Sequence, residues 1–246
     1  MAVARRAGYV QRRVDTLALR VEPSGPVAAA ATPGGLVTIT NGPTQGHLLL
    51  PAIDPERTYP LITVLHGAGR QDELLVRAYG PEPGRRDAIF FIPRSTSPTW
   101  DLIIGEDRPD LDFLEHAYAE IYRRVPVDHA RQALIGYSDG ASYALAIGLS
   151  NPRLFAAIMG WAAGFVVFDP TGVAETDPRP RILLEHGTHD PVFPFEAVAL
   201  RNCAVLRQLG YEVELRVDDG GVHWPSRTFQ PAALDWFLGG AGSQAS

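Results

Sequence analysis

From residue 36 onward, short apolar runs alternate with longer stretches in which apolar residues recur every three or four positions. The short runs predict strands over 36–40, 47–50, 61–65, 88–92, 132–136, 155–161, 181–185 and 212–217. Several are apolar throughout, as strands buried on both faces of a mostly parallel sheet must be. The longer stretches predict helices over 111–124, 141–149, 195–209 and 225–238. In the first of these, Leu111, Leu114, Tyr118, Ile121 and Tyr122 form one apolar stripe to lay against the sheet. The alternation predicts an α/β fold, a mostly parallel central sheet of about eight strands flanked by helices.

Residues 1–35 do not follow this pattern. They read as an N-terminal extension, with a candidate edge strand over 10–21 and turn-forming Pro, Gly and Ala segments after it. Residues 36–246 read as a single domain, since a chain of 246 residues suits one α/β unit and not two. Between two predicted core strands, 162–180 is rich in Gly, Pro, Asp and Thr and reads as an excursion over the surface, where lids often sit. The end, 239–246, reads as a frayed tail.

Composition narrows the function classes. A net charge of −6 gives no reason to expect a nucleic-acid backbone or an anionic membrane surface as partner. No apolar run reaches the ~18–20 residues of a membrane span. Arg5, Arg6, Arg12 and Arg13 near the start are not followed by the apolar core of a signal peptide, so the expected location is cytoplasmic. With Cys203 as the one cysteine, an intrachain disulfide and a cysteine-based metal cluster are excluded. No His-Glu-x-x-His or similar spacing is present, so no metal is expected.

The strongest chemical signal is Gly136-Tyr137-Ser138-Asp139-Gly140, between the strand at 132–136 and the helix at 141–149. A strand-to-helix turn this sharp needs small residues on both sides of the Ser, and it lifts the hydroxyl out of the sheet toward the first amides of the helix. The plain alternative is a Gly-rich connection with a capping Ser. A Ser hydroxyl is a weak nucleophile that needs a base, itself oriented by a third group. Asp190 stands in the loop leaving the strand at 181–185, and His223 in the loop leaving the strand at 212–217. The order Ser, acid, His and the shared carboxyl edge point to Ser138 as nucleophile, Asp190 as orienting acid and His223 as base.

His186 and His189 adjoin Asp190 in sequence and are read as loop or capping residues. Asp218 and Asp219 lie close to His223 and are read as a turn-forming pair. The loop after the strand at 61–65, His66-Gly67-Ala68-Gly69, brings its backbone close to the substrate. The Ala68 amide, with that of Asp139, is the candidate oxyanion hole, and His66 is read as holding that loop by a backbone hydrogen bond.

These segments together, with Val64-Leu65 before the first of them and Gly221-Val222 before His223, resemble the carboxylesterase/phospholipase branch of the α/β-hydrolase superfamily over about 46–238. That branch is similar to dienelactone hydrolases, acyl-protein thioesterases and esterases related to polyhydroxybutyrate depolymerases. Dienelactone hydrolases usually carry Cys where this chain has Ser138. The resemblance implies the triad Ser138, Asp190, His223 and the oxyanion residue Ala68, and through the segment around Ser97-Pro98-Thr99-Trp100-Asp101 it nominates Trp100 for the acyl pocket. Trp161, Phe165 and Trp224 are further candidates for pocket walls. The expected activity is that of a cofactor-free serine carboxylesterase acting on small-molecule esters of short to medium acyl chains, as monomer or homodimer. A thioesterase or lysophospholipase with the same triad, or a hydrolase fold retained for binding alone, are the alternatives.

Overall fold

The computed structural model describes residues 17–22, 31–105, 107–167, 174 and 176–239. Eight strands form one sheet: β1 Gly35–Asn41, β2 Thr44–Leu50, β3 Tyr59–Leu65, β4 Ile89–Pro93, β5 Val127–Tyr137, β6 Ala157–Trp161, β7 Arg181–Gly187 and β8 Val213–Asp218, in the order β1-β2-β4-β3-β5-β6-β7-β8. β1 and β2 are joined by a tight Gly42-Pro43 hairpin, with Gly42 at φ 59° as such a turn requires. β2 runs antiparallel to β4, and from β4 to β8 every pairing is parallel.

The parallel strands divide their side chains between two cores with the period of two that a pleated sheet imposes. Leu61, Ile89, Phe91, Leu134, Ile158 and Ile182 enter the core under α4 Pro109–Arg124, α5 Asp139–Ser150 and α6 Arg201–Gln208. Ile62, Phe90, Ile135, Met159 and Leu183 enter the opposite core, under α1 Asp72–Tyr79 and α7 Phe229–Gly239. The predicted stripe of α4 is buried along its whole length. Among the described residues, two short helices, α2 Glu82–Arg86 and α3 Asp101–Ile104, complete the set.

Several expectations change. α1, α2 and α3 were not predicted. The helix expected over 195–209 is a π-helical turn, Glu196–Leu200, running into α6, and the one expected over 225–238 begins only at Phe229 because Pro225 and the turns around it hold the preceding residues out of the helix. Of the candidate edge strand at 10–21, residues 10–16 lie outside the described residues, and 17–21 join no sheet. Leu17 and Leu19 are instead core residues, because Asn151 at the end of α5 binds both of their backbones. Its Oδ1 accepts the Leu19 N–H at 2.8 Å and its Nδ2 donates to the Leu17 carbonyl at 2.9 Å. The excursion at 162–180 also starts inside the protein: Ala163, Val166 and Val167 are buried, since their apolar side chains belong to the core. Residues 168–173 and 175 of that stretch, and the tail 240–246, lie outside the described residues.

Candidate active site

Ser138 occupies the turn between β5 and α5 with φ 53° and ψ −116°, a conformation costly for any residue with a side chain. The two flanking glycines make the turn possible. A Cβ on Gly136 would stand 2.2 Å from the Gly140 carbonyl oxygen, and one on Gly140 would stand 2.3 Å from the Leu65 carbonyl oxygen. No side chain fits either position, which is why the segment reads Gly-x-Ser-x-Gly. The Ser138 amide donates to the Trp161 carbonyl at 2.8 Å, tying the turn to β6.

The structure brings Ser138, His223 and Asp190 into one hydrogen-bonded line. Ser138 Oγ is 2.8 Å from His223 Nε2, and His223 Nδ1 is 2.7 Å from Asp190 Oδ2. Asp190 is buried, and its other oxygen accepts the amides of Val192 at 2.8 Å and Phe193 at 2.9 Å. Burial alone would raise its carboxyl, but the Phe193 amide, the His223 ring and the Val192 amide outweigh it and hold the carboxyl below the ordinary carboxylate range. The group therefore stands ionised at neutral pH.

The competing side chains have other partners. Asp219 accepts from the Thr188 hydroxyl at 3.2 Å, and the Asp218 carbonyl takes the Gly221 and Thr188 amides, so the pair shapes the turn. His189 is exposed. His186 is buried with Nε2 at 2.7 Å from the Phe193 carbonyl and 3.2 Å from Asp190 Oδ2. It braces the loop that presents the acid, and burial lowers its pKa below the ordinary imidazole value, keeping it neutral.

His66 sits at the start of the loop after β3, fully buried. The Ser95 amide donates to its Nε2 at 3.1 Å, so the ring proton is on Nδ1, which donates to the Gly67 carbonyl at 2.6 Å. Desolvation pushes the ring's pKa down and keeps it in this neutral form. A trans peptide sends its carbonyl and its N–H to opposite sides. Pinning the Gly67 carbonyl to the ring therefore turns the Ala68 N–H away from it, and Ala68 lines a cavity with Ser138. The Asp139 N–H opens α5 and has no carbonyl one turn earlier in the helix to accept it. The Asp139 carboxylate is held aside by the Thr99 hydroxyl at 2.7 Å.

That cavity, of about 400 Å³, has Ser138, His223 and Tyr137 at its base. One wall is α1, with Leu74, Leu75 and Ala78, and the other is the segment from Trp224 to Gln230. Of the four aromatic residues expected to line it, Trp161 and Trp224 do so. Trp161 is buried with its Nε1 donating to the His223 carbonyl at 3.2 Å, and Trp224 is exposed at the rim. Trp100 and Phe165 do not line it. Trp100 is fully buried between the His66 and Tyr143 rings, at centroid distances of 4.6 and 4.9 Å, because its indole N–H reaches the His66 carbonyl at 2.8 Å and draws it under the loop. Phe165 packs against the core on the α4–α5 side of the sheet.

Sequence reasoning missed the α1 wall. The helix is anchored at its start by Asp72, whose buried carboxylate accepts Arg94 Nε at 2.8 Å and lies 3.3 Å from His47 Nε2. At its end the Tyr79 and Tyr137 hydroxyls meet at 2.6 Å, one residue before Ser138. The signal was present in the apolar spacing of Leu74, Leu75 and Tyr79 behind the acidic first turn Asp72-Glu73. Among the described residues, no group of three or more His, Cys, Asp or Glu side chains is arranged to hold a metal ion.

No family model matches the sequence. A curated protein from Nocardia uniformis subsp. tsuyamanensis, "Putative esterase NocK", is 29% identical over 187 residues, covering 71% of this chain and 53% of that protein. The chain thus spans about half the length of the curated relative it matches. Among solved structures, esterase PE8 superposes with a TM-score of 0.61 at 21% identity, over 82% of this chain and 97% of that one. A ferulic acid esterase from Anaeromyces mucronatus gives 0.65 at 17% identity, over 88% and 93%. The S-formylglutathione hydrolase FrmB from Staphylococcus aureus gives 0.65 at 14% identity, over 83% and 98%. What this chain shares with these structures is the fold.

Proposed function

We propose that this chain, which has the α/β-hydrolase fold, is a serine carboxylesterase that cleaves short- to medium-chain acyl esters through an acyl-enzyme on Ser138. The observation that carries the reading is the line from Ser138 Oγ through His223 to Asp190, with steps of 2.8 and 2.7 Å, at the base of an open cavity. A fold retained only for binding has no need of a strained Ser aimed at an imidazole.

In this reading Ser138 Oγ attacks the ester carbonyl carbon while its proton passes to His223 Nε2. Asp190 keeps the imidazole in the tautomer that can accept that proton and stabilises the cation it becomes. The negative charge formed on the carbonyl oxygen is met by the Ala68 and Asp139 amides, one turned outward by the His66 bond and the other free at the start of α5. Collapse of the intermediate breaks the C–O bond of the alcohol, which leaves with the His223 proton. Water then gives a proton to His223, attacks the acyl-Ser, and releases the acid with Ser138 restored. No cofactor takes part. Hydrolysis of small-molecule esters needs no second macromolecule, and the cavity of about 400 Å³ suits an acyl chain of modest length better than a long lipid.

A panel of p-nitrophenyl esters from acetate to palmitate, with fluorophosphonate labelling, tests the proposal. Short and medium esters turn over best, the label falls on Ser138, and Ser138→Ala loses on the order of 10³–10⁶ in kcat with its circular dichroism unchanged. More than about a tenth of the parent activity left in that variant overturns the assignment.

A further inference from the structure

The charges that line the cavity do not resemble those of the whole chain. Overall, 28 acidic residues outnumber 22 basic ones. Among the described residues that line the cavity there is no Asp or Glu, and Arg227 is the one permanently charged side chain. Among the described residues, no carboxylate lies within ion-pair distance of Arg227, whereas Arg86, Arg94, Arg108 and Arg153 each hold an acid.

The backbone that carries Arg227 is fixed on both sides. Ser226 donates its hydroxyl to Glu185 at 2.8 Å, and Phe229 is fully buried between the rings of Tyr137 and Trp161. Glu185 is the acid behind this segment, and it is committed to Ser226. Burial pushes its carboxyl above the ordinary range. The remaining lining is mostly apolar, with Gln71 and Gln230 adding neutral amide groups. Arg227 is an exposed member of that lining, open to an anion that enters from solvent. A guanidinium also meets a carboxylate or phosphate with two parallel hydrogen bonds.

We infer that the cavity selects esters bearing an anionic group, a carboxylate above all, and that Arg227 is the residue that selects them. This rests on the esterase reading above and gives it a substrate class. The anion can belong to the acyl half or to the alcohol half of the ester, and either is read by the same guanidinium.

The test compares matched pairs at low salt. For the acyl half, the half-ester mono-p-nitrophenyl adipate is set against neutral p-nitrophenyl heptanoate. For the alcohol half, m-acetoxybenzoate is set against phenyl acetate. In at least one pair, kcat/KM for the anion exceeds that for the neutral ester by at least about fivefold, and the ratio falls as salt is added. Arg227→Gln brings the ratio to about one and Arg227→Lys retains part of it. Arg153→Gln removes an equal charge outside the cavity and leaves the ratio as in the parent. If neutral esters are hydrolysed and Ser138 is labelled, but neither anion is preferred or Arg227→Gln leaves the preference in place, the inference is overturned and the esterase reading stands. If no ester is hydrolysed and Ser138 takes no label, both fall.

Discussion

At the base of the cavity the chain is held by two glycines that admit no Cβ and by hydrogen bonds such as those of Ser138, His223 and Asp190 at 2.7 and 2.8 Å. Its walls are built differently: Leu74 on α1 is 48% exposed and Trp224 on the facing segment 62% exposed. The two regions divide the work. On the proposed reading, the groups whose positions must hold to a fraction of an ångström sit in the tightly held base, and the surfaces that meet a substrate are wall side chains, apolar ones together with Arg227, that can change with little cost to the fold.

Substitutions at the base should act on chemistry, by large factors. Asp190→Asn is expected to lose about 10⁴ in kcat by favouring the wrong imidazole tautomer, while Asp218→Asn and Asp219→Asn stay near the parent. Steady-state kinetics on the three variants check it, and a reversed order of effects would move the acid to the other loop. The two tryptophans then separate support from selection. Trp100→Ala is expected to lower stability by about 3–5 kcal/mol in denaturant titration, leaving the preference among acyl lengths where it was. Trp224→Ala is expected to leave stability near the parent and to shift that preference by roughly tenfold or less. An altered chain-length profile in Trp100→Ala would return that residue to the cavity wall.

The smallest effects concern pH. Asp190 is held below the ordinary carboxylate range, so it stays charged through the neutral region. A depressed carboxyl stabilises the folded protein above its unfolded pKa of about 3.9 and ceases to do so as pH falls through the folded value. The melting-temperature gap between the parent and Asp190→Asn is therefore expected to close below about pH 4. A gap that widens with acid would contradict the charged state assigned to Asp190.

Much of the architecture could be read from the chain because the inner parallel strands, such as β3, β4 and β6, are buried on both faces. Ile89 to Ile92 is apolar throughout and Leu61 to Leu65 is interrupted by Thr63 alone, so neither reads as a loop. The turn at Ser138 was legible for a steric reason, since a Cβ on Gly136 or on Gly140 would stand 2.2 or 2.3 Å from a backbone oxygen. Other parts depended on contacts between distant segments. α1 is short, and much of it faces solvent, so its apolar spacing is brief. Trp100 looked like a pocket residue beside its loop, and only the indole bond to the His66 carbonyl places it underneath. Val166 and Val167 sit in a stretch whose Gly and Pro content reads as surface, yet a core on the far side of the sheet claims them. Leu17 and Leu19 are claimed in the same way, by one Asn at the end of a helix.

That last arrangement bears on how the protein can be cut or rebuilt. Asn151 spends both ends of its amide on the segment at 17–19 and on the Ile147 carbonyl, so the segment serves as a plug for the end of α5. A shortened version beginning at Gly35 would keep every strand and still uncover an apolar seat beside an amide with lost partners. Engineers trimming this chain for expression or display should keep Leu17 and Leu19 in place instead of cutting at residue 35.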